Sequence, residues 1–130
     1  MPDTRYTIRE MCEEFGVTPR TLRYYEYIEL IAPERDGQKR LYTARDRGRL
    51  KLILRGRRFG FPLEAIRQWL ELYDRAGYYR QIEAWVANAT QRLAELEAER
   101  AQLDEKIAEL RNLRQEGCDW LEANRNAAAE

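Results

Sequence analysis

The chain has 130 residues, enough for one domain or for one small domain with an extension, and its 23 Lys+Arg balance 23 Asp+Glu. It contains no histidine, which removes His-based acid–base catalysis, Ser–His and Cys–His nucleophile systems and His-containing zinc sites. Cys12 and Cys118 lie too far apart in sequence for a CxxC pair and are too few for a disulfide framework, and no apolar run is long enough to span a membrane.

The N-terminus lacks a signal-peptide core, so the expected location is the cytoplasm. The overall charge balance hides a split. Residues 1–68 carry 15 Lys+Arg against 10 Asp+Glu, whereas residues 69–130 carry 8 against 13. A basic front and an acidic back suit a front half that meets a polyanion.

In chain order, Thr7-Ile8-Arg9-Glu10 reads as a capping box that opens a short helix ending near Phe15. Ile8, Met11, Cys12 and Phe15 form its apolar stripe, which makes Cys12 a small core residue, with a redox thiol as the alternative. Gly16 ends the helix. Thr18 then caps a second one, with Pro19 at its first position, where the missing N–H leaves no bond unmade. Helix, short glycine-containing turn, helix is the helix-turn-helix plan. On the second helix Leu22 and Tyr25 point inward, while Arg20, Arg23 and Tyr24 share another face. Two guanidiniums and a phenol on an exposed helix match phosphate oxygens and base edges in a DNA major groove.

Asp36-Gly37 is a two-residue hairpin signal between short strands, placing Arg35, Lys39, Arg40 and Tyr42 near the edges of a basic wing. Such a wing suits a neighbouring phosphate or the minor groove; its alternative is a solvated surface hairpin. Thr43, with Asp46 as its partner, caps a third helix to about Arg58 that turns Leu50, Ile53 and Leu54 inward. Gly48 and Gly56 weaken this helix and have no rationale in propensity. Phe59-Gly60-Phe61-Pro62 breaks the chain, and the Arg55–Phe61 turn offers a second wing. A helix from Leu63 follows, with Leu63, Ile66, Trp69, Leu70 and Tyr73 as its apolar face.

Residues 74–80 read as a connector. A 3-4 spacing then runs through Ile82, Val86, Ala89, Leu93, Leu96, Arg100, Leu103, Ile107, Leu110 and Arg114, over four heptads, and predicts a coiled coil across residues 81–116. A long helix packed on its own domain is the alternative, but the seam exceeds what the small front half can cover. Pairing therefore points to a second copy in a homodimer, with Ile82, Val86, Leu93, Leu96, Leu103, Ile107 and Leu110 at the interface. The spacing alone fixes neither parallel nor antiparallel order. Gly117 is expected to end the helix, leaving residues 117–130 as a short tail.

Several stretches together resemble the MerR family of bacterial transcription regulators. They are Tyr6-Thr7-Ile8-Arg9-Glu10, Gly16-Val17-Thr18-Pro19-Arg20-Thr21-Leu22-Arg23-Tyr24-Tyr25-Glu26, Leu30-Ile31-Ala32-Pro33, Arg40-Leu41-Tyr42 and Phe59-Gly60-Phe61-Pro62-Leu63-Glu64-Ala65-Ile66. The likeness covers residues 5–73 and departs at Arg47-Gly48, where an apolar–acidic pair is more usual. It implies a mainly α protein: a winged helix-turn-helix DNA-binding domain followed by a long coiled-coil dimerisation helix, paired antiparallel. It also implies a homodimer on a dyad of double-stranded promoter DNA, bending and untwisting an overlong spacer so that RNA polymerase engages both promoter elements. By motif position Arg20, Arg23 and Tyr24 would enter the major groove, and Tyr25 would straddle core and backbone. Arg40 and Tyr42 would be first-wing contacts and Arg57 the second-wing contact, with Thr7 and Thr18 adding cap-end contacts to phosphate.

Metal-sensing members carry cysteines at the end of the dimerisation helix. Here only Cys118 falls in that region, so no metal and no cofactor are expected. Cys118 beside Trp120 is either an idle thiol or a lone-thiol sensor. Trp69, Tyr73, Tyr78, Tyr79 and Trp85 gather in sequence where the two parts meet. Together with Cys118 and Trp120 they are the candidates for contacting a small-molecule effector that is apolar, aromatic or cationic, the alternative being hinge and dimer packing. The short acidic tail resembles members that control small carbon-source catabolism. An effector-independent DNA-architectural or phage-type accessory protein is the competing reading, and a coiled-coil scaffold with a protein-binding front half is another. No residue constellation supports an enzyme.

Overall fold

In the computed structural model, which describes residues 4–129, six stretches build the front of the chain in the order the capping signals dictate. These are β1 (Tyr6–Thr7), α1 (Ile8–Phe15), α2 (Pro19–Tyr27), β2 (Glu34–Asp36), β3 (Lys39–Tyr42) and α3 (Ala44–Arg58). Two further helices follow, α4 (Leu63–Ala123) and α5 (Arg125–Ala129). By compactness the chain divides into two units, residues 1–85 and 86–130.

Three threonines start three helices. Thr7 Oγ1 accepts from the Glu10 N–H at 3.1 Å while the Glu10 carboxylate accepts from the Thr7 N–H at 2.9 Å, and Thr18 Oγ1 accepts from the Thr21 N–H at 3.2 Å. Thr43 and Asp46 repeat the reciprocal arrangement. Each cap satisfies amides that have no partner within their own helix. Gly16, in the left-handed region at φ +65°, ends α1 and turns the chain into α2.

β3 lies between β1 and β2 in a small antiparallel sheet, with Tyr6 opposite Tyr42 and Arg35 opposite Arg40. β1 is too short to be read from alternation. The hairpin loop also differs by one residue from the expected Asp36-Gly37. Asp36 pairs with Lys39, so the loop is Gly37-Gln38, with Gly37 at φ +65° in the first loop position. That position of a II′ turn requires positive φ, which glycine adopts without strain.

The core of the front unit is continuous, running from Met11, Leu22 and Tyr25 through Leu30, Ile31, Tyr42, Leu50 and Ile53 to Phe61, Ile66, Trp69 and Leu70. Asp46 is buried with it and is fully engaged: its Oδ1 accepts from the Ala32 N–H at 2.9 Å and its Oδ2 from the N–H and hydroxyl of Thr43. Arg47, at the departure from the family pattern, packs in place of an apolar residue. Its guanidinium lies over the rings of Tyr6 and Phe15 at 5.8 and 6.0 Å and pairs with Glu14 of α1.

Two boundaries differ from expectation. Within residues 74–80 only Gly77 leaves helical geometry (φ +86°, ψ 179°, open to glycine alone), so the connector is a break inside α4. Gly117 does not end the helix, which continues to Ala123 and meets α5 two residues later, so helix occupies much of the stretch expected as a tail. A single exposed glycine lowers helix stability by about 1 kcal/mol, too little to stop a long helix without a left-handed cap.

Candidate nucleic-acid interface

α2 is seated by Leu22 and Tyr25, which leaves the opposite face open. Arg20 and Arg23 are exposed there, and Tyr24 is 49% exposed with its ring 5.8 Å from that of Tyr25. The other end of α2 is clamped through backbone carbonyls. Arg67 of α4 donates to the Ile28 carbonyl at 2.6 Å, and Arg49 of α3 donates to the Leu30 carbonyl at 3.0 Å. Glu29, between them, sits at φ +64° and carries the chain out of the helix.

The wing is fixed to the same helix. The Glu26 carboxylate on α2 accepts from Arg40 Nε at 2.7 Å and from an Arg35 guanidinium N–H at 2.9 Å. Burial works against the charge on Glu26, but the hydrogen bonds from Arg40 and Arg35 outweigh it and hold the carboxyl below its ordinary range. Arg5 closes the other side with two hydrogen bonds to Glu34 of β2, at 2.8 and 3.1 Å.

Many front-unit arginines are thus neutralised by neighbours. Arg20, Arg23 and Lys39 form no ion pair among the described residues. Unpaired cations such as Arg20 and Arg23 on the open face of α2 are what a phosphate backbone would engage, with release of its counterions. Arg57 braces the α3–α4 turn by donating to the Phe61 carbonyl at 3.3 Å, and the Arg58 guanidinium lies over the Phe59 ring. Thr18 remains exposed at the head of α2, and its hydroxyl is shared with Thr21 Oγ1 at 3.1 Å. Thr7 caps α1 while pairing with Leu41 in the sheet.

One expected contact is corrected. Tyr42 is 0% exposed and cannot reach DNA: its alternation phase on β3 points it into the core opposite Tyr6. Its hydroxyl has no hydrogen-bond partner among the described residues, and burial first, then Glu26, pushes its pKa up to about 12. Tyr25 keeps its ring in the core at 7% exposure, the core half of its expected straddling position. Glu26 stands in the family motif with no role legible from sequence, and Arg67, Arg49 and Arg5 carry no sequence signal for theirs. Long-range salt bridges and carbonyl clamps leave no periodic mark in a sequence.

The aromatic set separates. Trp69 is buried edge-on against Phe61 (centroids 4.9 Å) and Trp85 (5.0 Å), so both tryptophans belong to a packed aromatic cluster and not to a pocket. Tyr73 and Tyr78 do line a cavity of about 560 Å³ between α3 and α4. Tyr79 is outside it, with the Arg80 guanidinium 5.8 Å above its ring. Cys118 and Trp120 are exposed on α4 in the second unit. Burial raises the Cys12 thiol pKa, with Arg23 pulling the other way, which disfavours the reactive thiolate.

Comparison with known proteins agrees with this geometry. Residues 6–72 match the family described as MerR HTH family regulatory protein, and residues 47–116 match that described as MerR, DNA binding. The chain is similar to the HTH-type transcriptional regulator ZntR of Escherichia coli (strain K12), at 36% identity over 115 residues covering 87% of this chain and 81% of that protein. It is 33% identical over 109 residues to heavy metal-dependent transcription regulator 2 of Rhizobium meliloti (strain 1021), covering 82% and 72%. Its fold is shared by the crystal structure of HiNmlR, a MerR family regulator lacking the sensor domain, bound to promoter DNA, with a TM-score of 0.62 and 23% identity over 80% of this chain and 79% of that one. The open face of α2, the wing locked to it by Glu26 and these matches together make the chain a DNA-binding transcription regulator that belongs to the MerR family.

Proposed function

We propose that two copies of this chain bind a dyad of double-stranded DNA in a promoter spacer and regulate transcription by bending and untwisting it for RNA polymerase on the same promoter. The observation that carries the reading is the unneutralised Arg20–Arg23–Tyr24 face of α2, held in fixed register to the wing by Glu26. A rigid pair of elements that meets the duplex at two places can impose a shape on it, and shape is what such regulation changes. Residues 5–73 supply DNA binding and residues 81–116 the dimer seam, whose Leu93, Leu103 and Leu110 are exposed in the single chain. Working on promoter DNA places the protein in the cytoplasm, as a regulator and not an enzyme.

The effector is a small molecule. One relative is named a heavy metal-dependent transcription regulator; what supports a small molecule here is the lack of histidine and the single cysteine, Cys118, near the end of the dimer helix. A carbon-catabolism compound is the favoured class, in keeping with the short acidic tail.

The test is capture of sheared genomic DNA by the purified protein at moderate salt, followed by sequencing. One or a few dyads inside overlong promoter spacers are the expected result, and Arg23→Ala and Tyr24→Ala should abolish that preference. Broad capture with no dyad would replace this reading with the effector-independent architectural one. Survival of the sequence preference in both variants would remove α2 as the reading helix.

A further inference from the structure

The cavity between α3 and α4 has a chemistry that the aromatic reading did not anticipate. Its rim and wall carry Arg45, Arg49, Lys51 and Arg55, against a single carboxylate, Asp74. Leu52 and Leu70 supply an apolar lining beside the rings of Tyr73 and Tyr78. At about 560 Å³ it falls within the size range of small-molecule sites. Asp74 is the one carboxylate among the lining residues and bonds two of the four cations, while Asp46 acts on Arg45 and Arg49, and Glu14 on Lys51, without lining the cavity. Asp74 Oδ2 takes hydrogen bonds from Arg45 at 2.5 Å and Arg49 at 3.1 Å, while Lys51 and Arg55 form no ion pair among the described residues.

We infer that this cavity binds a small oxyanion carried on an apolar or aromatic body, with the anion received by Arg45, Arg49, Lys51 and Arg55 and the body lying against Tyr73 and the aliphatic lining. The proposal deepens the effector part of the function above and rests on it. Asp74 acts as the internal anion of the site: its carboxylate already shows how two guanidiniums converge on one oxygen. The position matters for regulation. Arg49, which holds Asp74, also donates to the Leu30 carbonyl at the end of the DNA-reading segment, and Asp74 lies three residues before the Gly77 break. An incoming anion that draws Arg49 or Arg45 away from Asp74 therefore acts on the clamp of α2 and on the helix beside the break.

A carboxylate and a phosphate ester share this chemistry, so the probes are benzoate and phenyl phosphate, with neutral benzamide as the isosteric control. Titration calorimetry on the full chain without DNA should show saturable binding of one or both anions, about one per chain, and none of benzamide. A benzoate preference identifies a carboxylate source and a phenyl phosphate preference a phosphate ester. Lys51→Gln and Arg55→Gln, on exposed side chains, should each weaken binding by about threefold to tenfold. Asp74→Asn should strengthen it, because the internal competitor is gone. Equal binding of benzamide, or binding indifferent to Lys51, Arg55 and Asp74, overturns the proposal, as does absence of saturable binding at millimolar concentration. A gel shift on the same preparations separates the two readings. Intact DNA binding without anion binding removes the site alone, and anion binding without DNA binding removes the regulator reading alone.

Discussion

Gly56 of α3 and Ile66 of α4 approach so closely that a Cβ at Gly56 would stand 2.8 Å from Ile66 Cδ1 and 2.9 Å from its Cγ1. Ile66 is fully buried and Trp69, 3.4 Å away, nearly so, so both are hemmed in by the core. Gly56→Ala should therefore lower stability by about 1–3 kcal/mol, overpacking outweighing the roughly 1 kcal/mol that alanine adds to a helix. Gly48, eight residues earlier, meets nothing within 4 Å, and Gly48→Ala should stabilise by about 0.5–1 kcal/mol. Urea unfolding of the two variants gives the answer. Stabilisation by both would mean that α3 and α4 do not pack through Gly56.

Tyr42 tests where the wing ends and the core begins. Its hydroxyl is buried without a partner, so Tyr42→Phe removes a desolvated group and keeps the ring. The expected result is a gain of about 1 kcal/mol or no change, with DNA affinity unaltered. A clear loss of DNA affinity in a variant of unchanged stability would return Tyr42 to the interface.

Much of the front unit was legible because it is written in local chemistry. Thr7, Thr18 and Thr43 announce three helix starts, and Leu22/Tyr25 against Arg20/Arg23/Tyr24 divide α2 into two faces within nine residues. What failed depends on partners distant in sequence. The hairpin loop sits at Gly37-Gln38 because Asp36 pairs with Lys39, a register that the Asp36-Gly37 dipeptide alone does not express. Tyr42 read as a wing contact because its neighbour Arg40 belongs to the wing, yet adjacent strand residues face opposite ways. Gly56 looked like a defect until the helix lying against it was known. Trp69 and Trp85 are 16 residues apart, and only the break at Gly77 allows the second to return to the first.

Glu26 makes the wing sensitive to acid. Its folded pKa lies below the ordinary 4.5, so its contribution to stability is fully present above that value and is lost as pH falls through the lower, folded one. Glu14, Glu34 and Asp74 are shifted in the same direction, so the readout is the difference between the parent and Glu26→Gln. At neutral pH the variant should be less stable by about 1–2 kcal/mol, having lost the charged partner of two arginines. That gap should close as pH is lowered below 4.5. A gap that stays constant with pH would mean that Glu26 acts by packing and not by charge.

The seam on α4 can be tested without disturbing the single chain. Leu103 is 58% exposed, with Leu96, Ile107 and Leu110 also open on the helix, so nothing in one chain depends on burying it. Leucine and glutamate have similar helix propensity, and Leu103→Glu should leave helicity unchanged. In a homodimer paired through this seam the same change places a carboxylate on each copy in a desolvated interface, where an unpaired charge is costly. Sedimentation should then show a monomer at micromolar concentration where the parent is a dimer. DNA affinity should fall by about 10²-fold or more, because the second half-site is no longer bound at high effective concentration. A Leu103→Glu chain that remains dimeric and binds a dyad normally would place the interface elsewhere and leave the apolar spacing from Ile82 to Leu110 without a partner.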